Sequence, residues 1–235
     1  MATVNALKNS LNNLTSPIKA VELSRFFKTG KGEYGEGDRF LGITVPEQRK
    51  LAKQFIGLDF GDLEQLLQTE IHEYRLTALL ILTEQFAKAD PNQQQKIVEF
   101  YLDHTALINN WDLVDVSCYK ILGVYLLDRD HQILHQLAQS SNLWEQRIAI
   151  VSTLKFIKHG HYADTLQIAL TLLNHSHDLI HKAVGWMLRE VGKQDRQILK
   201  EFLDIYHQQM PRTMLRYAIE HFAEPTRKAY LKRPK

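Results

Sequence analysis

Apolar residues along this chain recur every three or four positions rather than every second one. Leu63, Leu66 and Leu67 show the pattern, as do Ile97, Phe100 and Tyr101, and again Ile133, Leu134 and Leu137. A helix of 3.6 residues per turn brings such positions onto one face, whereas a half-buried strand would alternate. No convincing alternating run occurs. Proline and glycine sit at boundaries. Pro17, Pro46, Pro91 and Pro211 each follow a polar or loop-like stretch and precede a helical pattern. That suits an early helical position, where the missing N–H would be unpaired anyway. The expected fold class is all-α.

The helical segments also repeat. Arg75 opens Arg75-Leu76-Thr77-Ala78, Arg147 opens Arg147-Ile148-Ala149-Ile150, Lys182 opens Lys182-Ala183-Val184-Gly185, and Arg216 opens Arg216-Tyr217-Ala218-Ile219. In each, a basic residue stands just before a small and apolar run. Arg75 and Arg147 are 72 positions apart, Arg147 and Lys182 are 35 apart, and Lys182 and Arg216 are 34 apart. The member due midway in the first interval falls at Trp111-Asp112, 36 positions before Arg147, where the Trp–Asp pair replaces the basic residue. A stack of helical pairs produces this period and aligns equivalent faces. Arg75, Arg147, Lys182 and Arg216 are therefore expected as a stripe on one concave surface, each on the second helix of its repeat. The competing reading is a set of solvated helix faces.

Composition narrows the class. The chain has 235 residues, 44% of them apolar, enough for one continuous core, and a single domain over 1–235 is expected. A net charge of +2 excludes a globally basic nucleic-acid binder, so any such affinity must come from a local stripe of Lys and Arg. One cysteine, Cys118, excludes an internal disulfide framework and fits a reducing compartment. Within a helical apolar pattern it reads as a small core residue. Met1 to Leu14 is polar and Asn-rich and lacks the apolar run of a signal peptide. No stretch approaches bilayer-spanning length. The expectation is a soluble, cytoplasmic protein, associated with the nucleoid when acting, monomeric and without a membrane partner.

Two local features invite chemistry. Lys28 to Gly42 holds five of the eleven glycines, and Gly30, Gly32 and Gly35 formally match G-x-G-x-x-G. No strand precedes them and no βαβ unit surrounds them, so a dinucleotide or kinase loop is rejected. What remains is either a flexible connection at 29–42 or a mobile loop carrying Lys28, Lys31, Tyr34 and Arg39 that closes on a ligand. His177 and His181 stand four apart beside His175, but no carboxylate or cysteine completes a familiar metal set. Histidines near a helix start are the better account, and no metal or cofactor is expected.

Trp111 and Asp115 are four apart and so share a helix face. Taken singly, the tryptophan would be core and the aspartate a surface charge. Together, and with Trp186 on a later helix, they make an aromatic face beside a carboxylate, which suits a cation. Arg147 could hold a phosphate at the edge of such a site. One reaction fits. Cleaving the glycosidic bond to a cationic alkylpurine passes through an oxocarbenium-like sugar, and the base leaves without being protonated. One carboxylate then suffices where sugar hydrolases use two.

At this point the motifs converge. Phe40-Leu41-Gly42-Ile43, Asn110-Trp111-Asp112-Leu113-Val114-Asp115, Leu143-Trp144-Glu145-Gln146-Arg147 and Gly185-Trp186-Met187-Leu188-Arg189-Glu190 resemble, in order and spacing, the AlkD family of DNA alkylation repair glycosylases, from about Val21 to about Phe222. The resemblance implies an α-solenoid of HEAT-like repeats, a right-handed superhelix with a concave DNA-binding face. It implies excision of N3- and N7-alkylated purines such as 3-methyladenine and 7-methylguanine from duplex DNA. Metal, cofactor and lyase chemistry play no part, and the base need not enter a deep pocket. By position, Asp115 takes the catalytic carboxylate role, and Trp111 and Trp186 form the aromatic cleft. Arg147 and Arg189 contact backbone phosphates, and Lys182, Lys155, Arg75 and Arg216 complete the DNA-binding set. Asp112 is expected to be structural, bonded to a neighbouring helix, and Glu190 to pair with a basic neighbour. The chain departs from the pattern in a longer loop at Thr29 to Arg39, and in Asn110 where some members carry a second tryptophan. The alternatives are a non-catalytic member of the fold that binds DNA of unusual structure, and a helical-repeat scaffold unrelated to DNA.

Overall fold

The computed structural model describes residues 2–232. Among them regular structure is helical, as the periodicity predicts, and the β-type contact is an isolated parallel bridge between Arg39 and Ile71. The helices gather into two compact units that meet along the chain between Ser117 and Cys118.

In the first unit α1 (Val4–Asn12), α2 (Pro17–Phe26), α3 (Val45–Gln54), α4 (Phe60–Leu67), α5 (His72–Lys88) and α6 (Pro91–Asp103) lead to the start of α7 (Trp111–Tyr125), within which the boundary falls. The polar segment before Leu14 is more than its composition suggests. Thr3 caps α1 by accepting the Ala6 N–H at 3.2 Å, and Val4, Leu7 and Leu11 bury one narrow stripe. Pro17 and Pro91 open α2 and α6, and Pro46 lies in the first turn of α3. Asp59 and Asp90 cap α4 and α6, each accepting an N–H three residues on at 2.9 Å. Such caps contribute about 1 kcal/mol each. α5 is the centre, with α1, α3, α4 and α6 packed on it. Its run from Tyr74 to Leu82 is buried on every side, Arg75 and Thr77 included, so it is an interior helix whose polar groups need partners. α2 is its opposite. It has no buried residue, and Ile18, Val21 and Phe26 are exposed.

The second unit holds the rest of α7, then α8 (Gln132–Ala138), α9 (Leu143–Ser152), α10 (Leu154–Ile157), α11 (Ala163–Thr171), α12 (Asp178–Gln194), α13 (Arg196–Tyr206), α14 (Arg212–Ala218) and α15 (Glu224–Leu231). α12 is its centre and packs on α9, α13 and α14. The approach to α14 is close. A Cβ on Gly185 would lie 2.5 Å from the Met214 carbonyl oxygen and 2.6 Å from the Tyr217 Cβ, so only glycine fits there. Asn142 and Asp195 cap α9 and α13. Pro211 stands at the cap of α14. Cys118 is fully buried in α7, the core position its pattern predicts.

The predicted repeat maps onto α5, α7, α9, α12 and α14. Arg75, Arg147, Lys182 and Arg216 each lie three or four residues after the first residue of their helix. No helix among the described residues is long and apolar enough to cross a membrane.

Candidate active site

The start of α7 is fixed by its own polar residues. Asn110 accepts the Trp111 N–H on its side-chain oxygen at 2.8 Å, its carbonyl accepts the Val114 N–H at 3.2 Å, and Asp112 accepts the Leu113 N–H at 2.9 Å. Asn110 therefore serves the helix start. Leu113 and Val114 are fully buried, which turns Trp111 and Asp115, one turn apart, to the half-buried side. Both line a cavity of about 540 Å³. Its wall is aromatic. Phe27 stacks on Trp111 with centroids 5.1 Å apart and planes at 16°, Phe26 meets Trp111 edge-on at 5.9 Å, and Phe40 stacks on Phe27 at 5.0 Å. Trp111 is thus one ring of a continuous wall beside a carboxylate, the arrangement that attracts a cation.

Behind this wall lies a buried ionic network. His72, 1% exposed, reaches Asp112 through Nε2 at 2.8 Å and Asp38 through Nδ1 at 3.0 Å. Arg75 donates to Asp38 and to Asn109, and Asn110 donates to Asp38 at 3.3 Å. Burial alone would lower the His72 pKa, but the Asp112 charge and the hydrogen bonds to both carboxylates push it up to about 9. Burial would likewise raise that of Asp38, yet the His72 hydrogen bond and the Arg75 charge hold it below the usual carboxylate value. Asp112 is bonded to a neighbouring helix, as expected.

The glycine-rich loop is pinned at its far end. Asp38 is tied as above. Arg39 accepts the Ile71-side N–H of His72 at 2.9 Å and donates its own N–H to the Glu70 carbonyl at 2.9 Å. The Glu73 carboxylate accepts the N–H groups of Leu41, Gly42 and Ile43 at 2.8–3.2 Å. Gly42 adopts φ 84°, and a Cβ there would lie 2.2 Å from the Ser16 carbonyl oxygen. At this end of the loop, residues 39–42 are thus hydrogen-bonded to Glu70 and to the start of α5.

The basic stripe also needs correction, because its members live in different surroundings. Arg75 is 4% exposed and committed to Asp38 and Asn109, which removes it from the DNA-facing set. Arg147 is 5% exposed and donates to the Leu179 carbonyl at 2.6 Å, bracing the first turn of α12. Arg189 lies between carboxylates, bonded to Glu220 and 3.6 Å from Glu190. Lys182 is half-exposed and 2.8 Å from Asp178. Lys155 is half-buried and Arg216 exposed. Trp186 is half-buried and donates through Nε1 to Glu190 at 3.2 Å. Glu190 also pairs with Lys193 at 2.8 Å, the basic neighbour expected for it.

His177 caps α12, and His175 supports the chain just before it. His177 accepts the Leu179 N–H at 3.1 Å and His175 accepts the His177 N–H at 2.9 Å. Both have pKa values lowered, first by burial. Among the described residues no group of three or more His, Cys, Asp or Glu is placed to hold a metal.

Reasoning from the sequence did not find Phe26, Phe27 and His72. The doublet Phe26-Phe27, at the end of a helix and just before the glycine-rich loop, was the available signal.

The family model of the DNA alkylation repair enzymes matches residues 7–222. No protein of curated function matches the chain. Among solved structures, a predicted DNA alkylation repair enzyme from Enterococcus faecalis has the same fold, with a TM-score of 0.68 and 19% identity over 89% of this chain and 97% of that one.

Proposed function

Because this chain belongs to the DNA alkylation repair enzyme family and acts in the repair of alkylated DNA, we propose that it is a monofunctional glycosylase releasing cationic N3- and N7-alkylated purines from duplex DNA. One observation carries the reading. Asp115 lies one helical turn from Trp111, and both line an aromatic cavity of about 540 Å³. That volume falls in the range of small-molecule sites, about 300–1,000 Å³.

The chemistry follows from charge. An N3- or N7-alkylated purine is already positive, so cleavage of its glycosidic bond releases a neutral base and moves the positive charge onto the sugar. The Asp115 carboxylate stabilises that oxocarbenium ion and orients the attacking water, whose surplus proton then leaves to solvent. The Trp111 face adds attraction through its quadrupole. Trp186 joins the aromatic role on its motif. The exposed Arg216 and the half-exposed Lys182 and Lys155 supply phosphate contacts. Arg147 acts by bracing α12.

The test is release of 3-methyladenine and 7-methylguanine from methylated duplex DNA. Asp115→Asn should keep the fold and keep or slightly tighten DNA affinity, because a negative charge facing phosphates is lost. Excision should fall by one to a few orders of magnitude, as a lost preorganised electrostatic group costs roughly 2.7–4 kcal/mol in the transition state. A folded Asp115→Asn protein that releases 7-methylguanine at the unmutated rate would refute the mechanism.

A further inference from the structure

We propose that His72 is a positioning residue of the Trp111–Asp115 site: by bridging Asp38 and Asp112 with its two ring nitrogens it locks the first turn of α7 and, through Phe27, the orientation of the Trp111 indole. The claim about geometry stands by itself, and the claim about catalysis rests on the glycosylase reading.

Both partners of the ring are carboxylates, at 2.8 and 3.0 Å. An ionised carboxylate only accepts, so both nitrogens must donate and the ring is an imidazolium. The groups facing it come from three elements. The loop contributes Asp38, α5 contributes Arg75 and Glu73, and α7 contributes Asp112. Glu73 is occupied by the N–H groups of residues 41–43. With His72 protonated, two cations face Asp38 and Asp112, and this buried cluster is balanced. A pKa of about 9 accords with that balance. Above it, one carboxylate faces a lone pair, the contact is lost and the repulsion falls on Asp38 or Asp112. Asp112 directly follows Trp111 and precedes Asp115 by three positions. The ring itself lies 5.0 Å from Phe27, whose other neighbour is Trp111 at 5.1 Å. A change at His72 therefore reaches both site residues, by the helix backbone and by the ring stack.

The wild-type protein provides a test that needs no variant at His72. In protein labelled with 5-fluorotryptophan, the Trp111 resonance, identified by its loss in Trp111→Phe, should titrate with a midpoint near the His72 pKa of about 9. A Trp111 signal that stays still through that range overturns the proposal. In His72→Gln the step should vanish, and an undiminished step also overturns it. In single-turnover release of 3-methyladenine, His72→Gln should slow the chemical step by about tenfold to a hundredfold, as small misplacements do. DNA affinity should stay within about twofold, since no phosphate contact is touched. The alkaline fall in the wild-type rate should be absent from the variant. An unchanged rate constant in the folded variant refutes the catalytic half. If the wild type itself released no base, the glycosylase reading would fail, while the Trp111 titration would still decide the role of His72.

Discussion

Arg75 and Lys182 hold the same place in the repeat, near the starts of α5 and α12, yet their charges serve opposite ends. Arg75 is buried and bonded to Asp38 and Asn109. Lys182 is half-exposed, with Asp178 as its partner one turn back at 2.8 Å. The difference lies in the helices that carry them. From Leu76 to Leu82 α5 is apolar but for the buried Thr77 and lies in the interior, so a charge near its start needs buried partners. α12 keeps a polar side with Asp178, His181, Lys182, Arg189 and Lys193, so a charge there stays near solvent. A repeated residue therefore repeats a position along the chain, and the environment of the helix decides whether its charge is closed in by buried partners or stays near solvent.

The sharpest way to break this comparison is to remove each charge. Arg75→Ala leaves Asp38 buried with one cation fewer and should cost about 3–5 kcal/mol, the usual result of removing one partner of a buried pair. Urea unfolding of the full chain measures it. A loss below about 1 kcal/mol would place Arg75 with the surface charges and dissolve the contrast.

The same cluster predicts how stability depends on pH. The folded His72 pKa, about 9, is above the ordinary value of 6.5. Its contribution is fully present below about pH 6.5, declines as pH rises towards 9 and is gone above that. The shift corresponds to on the order of 3 kcal/mol. Asp38 acts in the other direction. Its pKa is lowered from 3.8, so its contribution is lost as pH falls below that value. Thermal unfolding from pH 6 to 10 should show the alkaline decline, and His72→Gln should flatten it. A wild-type curve level between pH 6.5 and 9 would mean that the ring is not held as an imidazolium.

How much of this was legible in the sequence follows from the range over which each cause acts. The helices, their capping residues and the early prolines are local, and period and composition displayed them. The turn-spaced pair Trp111 and Asp115 was legible for the same reason. The bond between His72 and Asp38 spans 34 positions and leaves no periodic trace. Arg75 misled because a basic residue before an apolar run looks alike on a surface and an interior helix. The missing polar face of the seven residues after it was the signal, and it lay in α5 as a whole rather than at Arg75. The wall formed by Phe26, Phe27 and Phe40 depends on how the loop folds back onto α5, which Glu73 enforces across about 30 positions.

Packing in the second unit gives a smaller effect of mixed sign. Gly185→Ala gains up to about 1 kcal/mol of helix propensity. Against that, the new methyl would meet the Met214 carbonyl oxygen at 2.5 Å, and backbone cannot swing away as a side-chain tip can. Overpacking of this kind costs about 1–3 kcal/mol, so the net should be a modest destabilisation. Trp186 is the next residue, so excision should fall by more than stability alone explains. A stabilised Gly185→Ala protein would mean that α12 and α14 are less closely packed.

The smallest effect on stability belongs to Lys182, and it completes the comparison with Arg75. Its ion pair with Asp178 is about half-exposed on both sides, and such pairs contribute about 0–1 kcal/mol. Lys182→Ala should therefore unfold close to the wild type. Its effect should appear in DNA binding instead. Each phosphate neutralised on duplex DNA adds about 0.9 to the dependence of log K on log salt, so losing one contact should lower that slope by about 0.9, across sequences alike. Arg216→Ala, at the equivalent position on α14, should do the same. Arg75→Ala, assayed under conditions where it remains folded, should leave the slope untouched, because a guanidinium closed in by Asp38 and Asn109 displaces no counterion from DNA. If Arg75→Ala lowered the slope and Lys182→Ala did not, the division between structural and DNA-facing charges would be reversed.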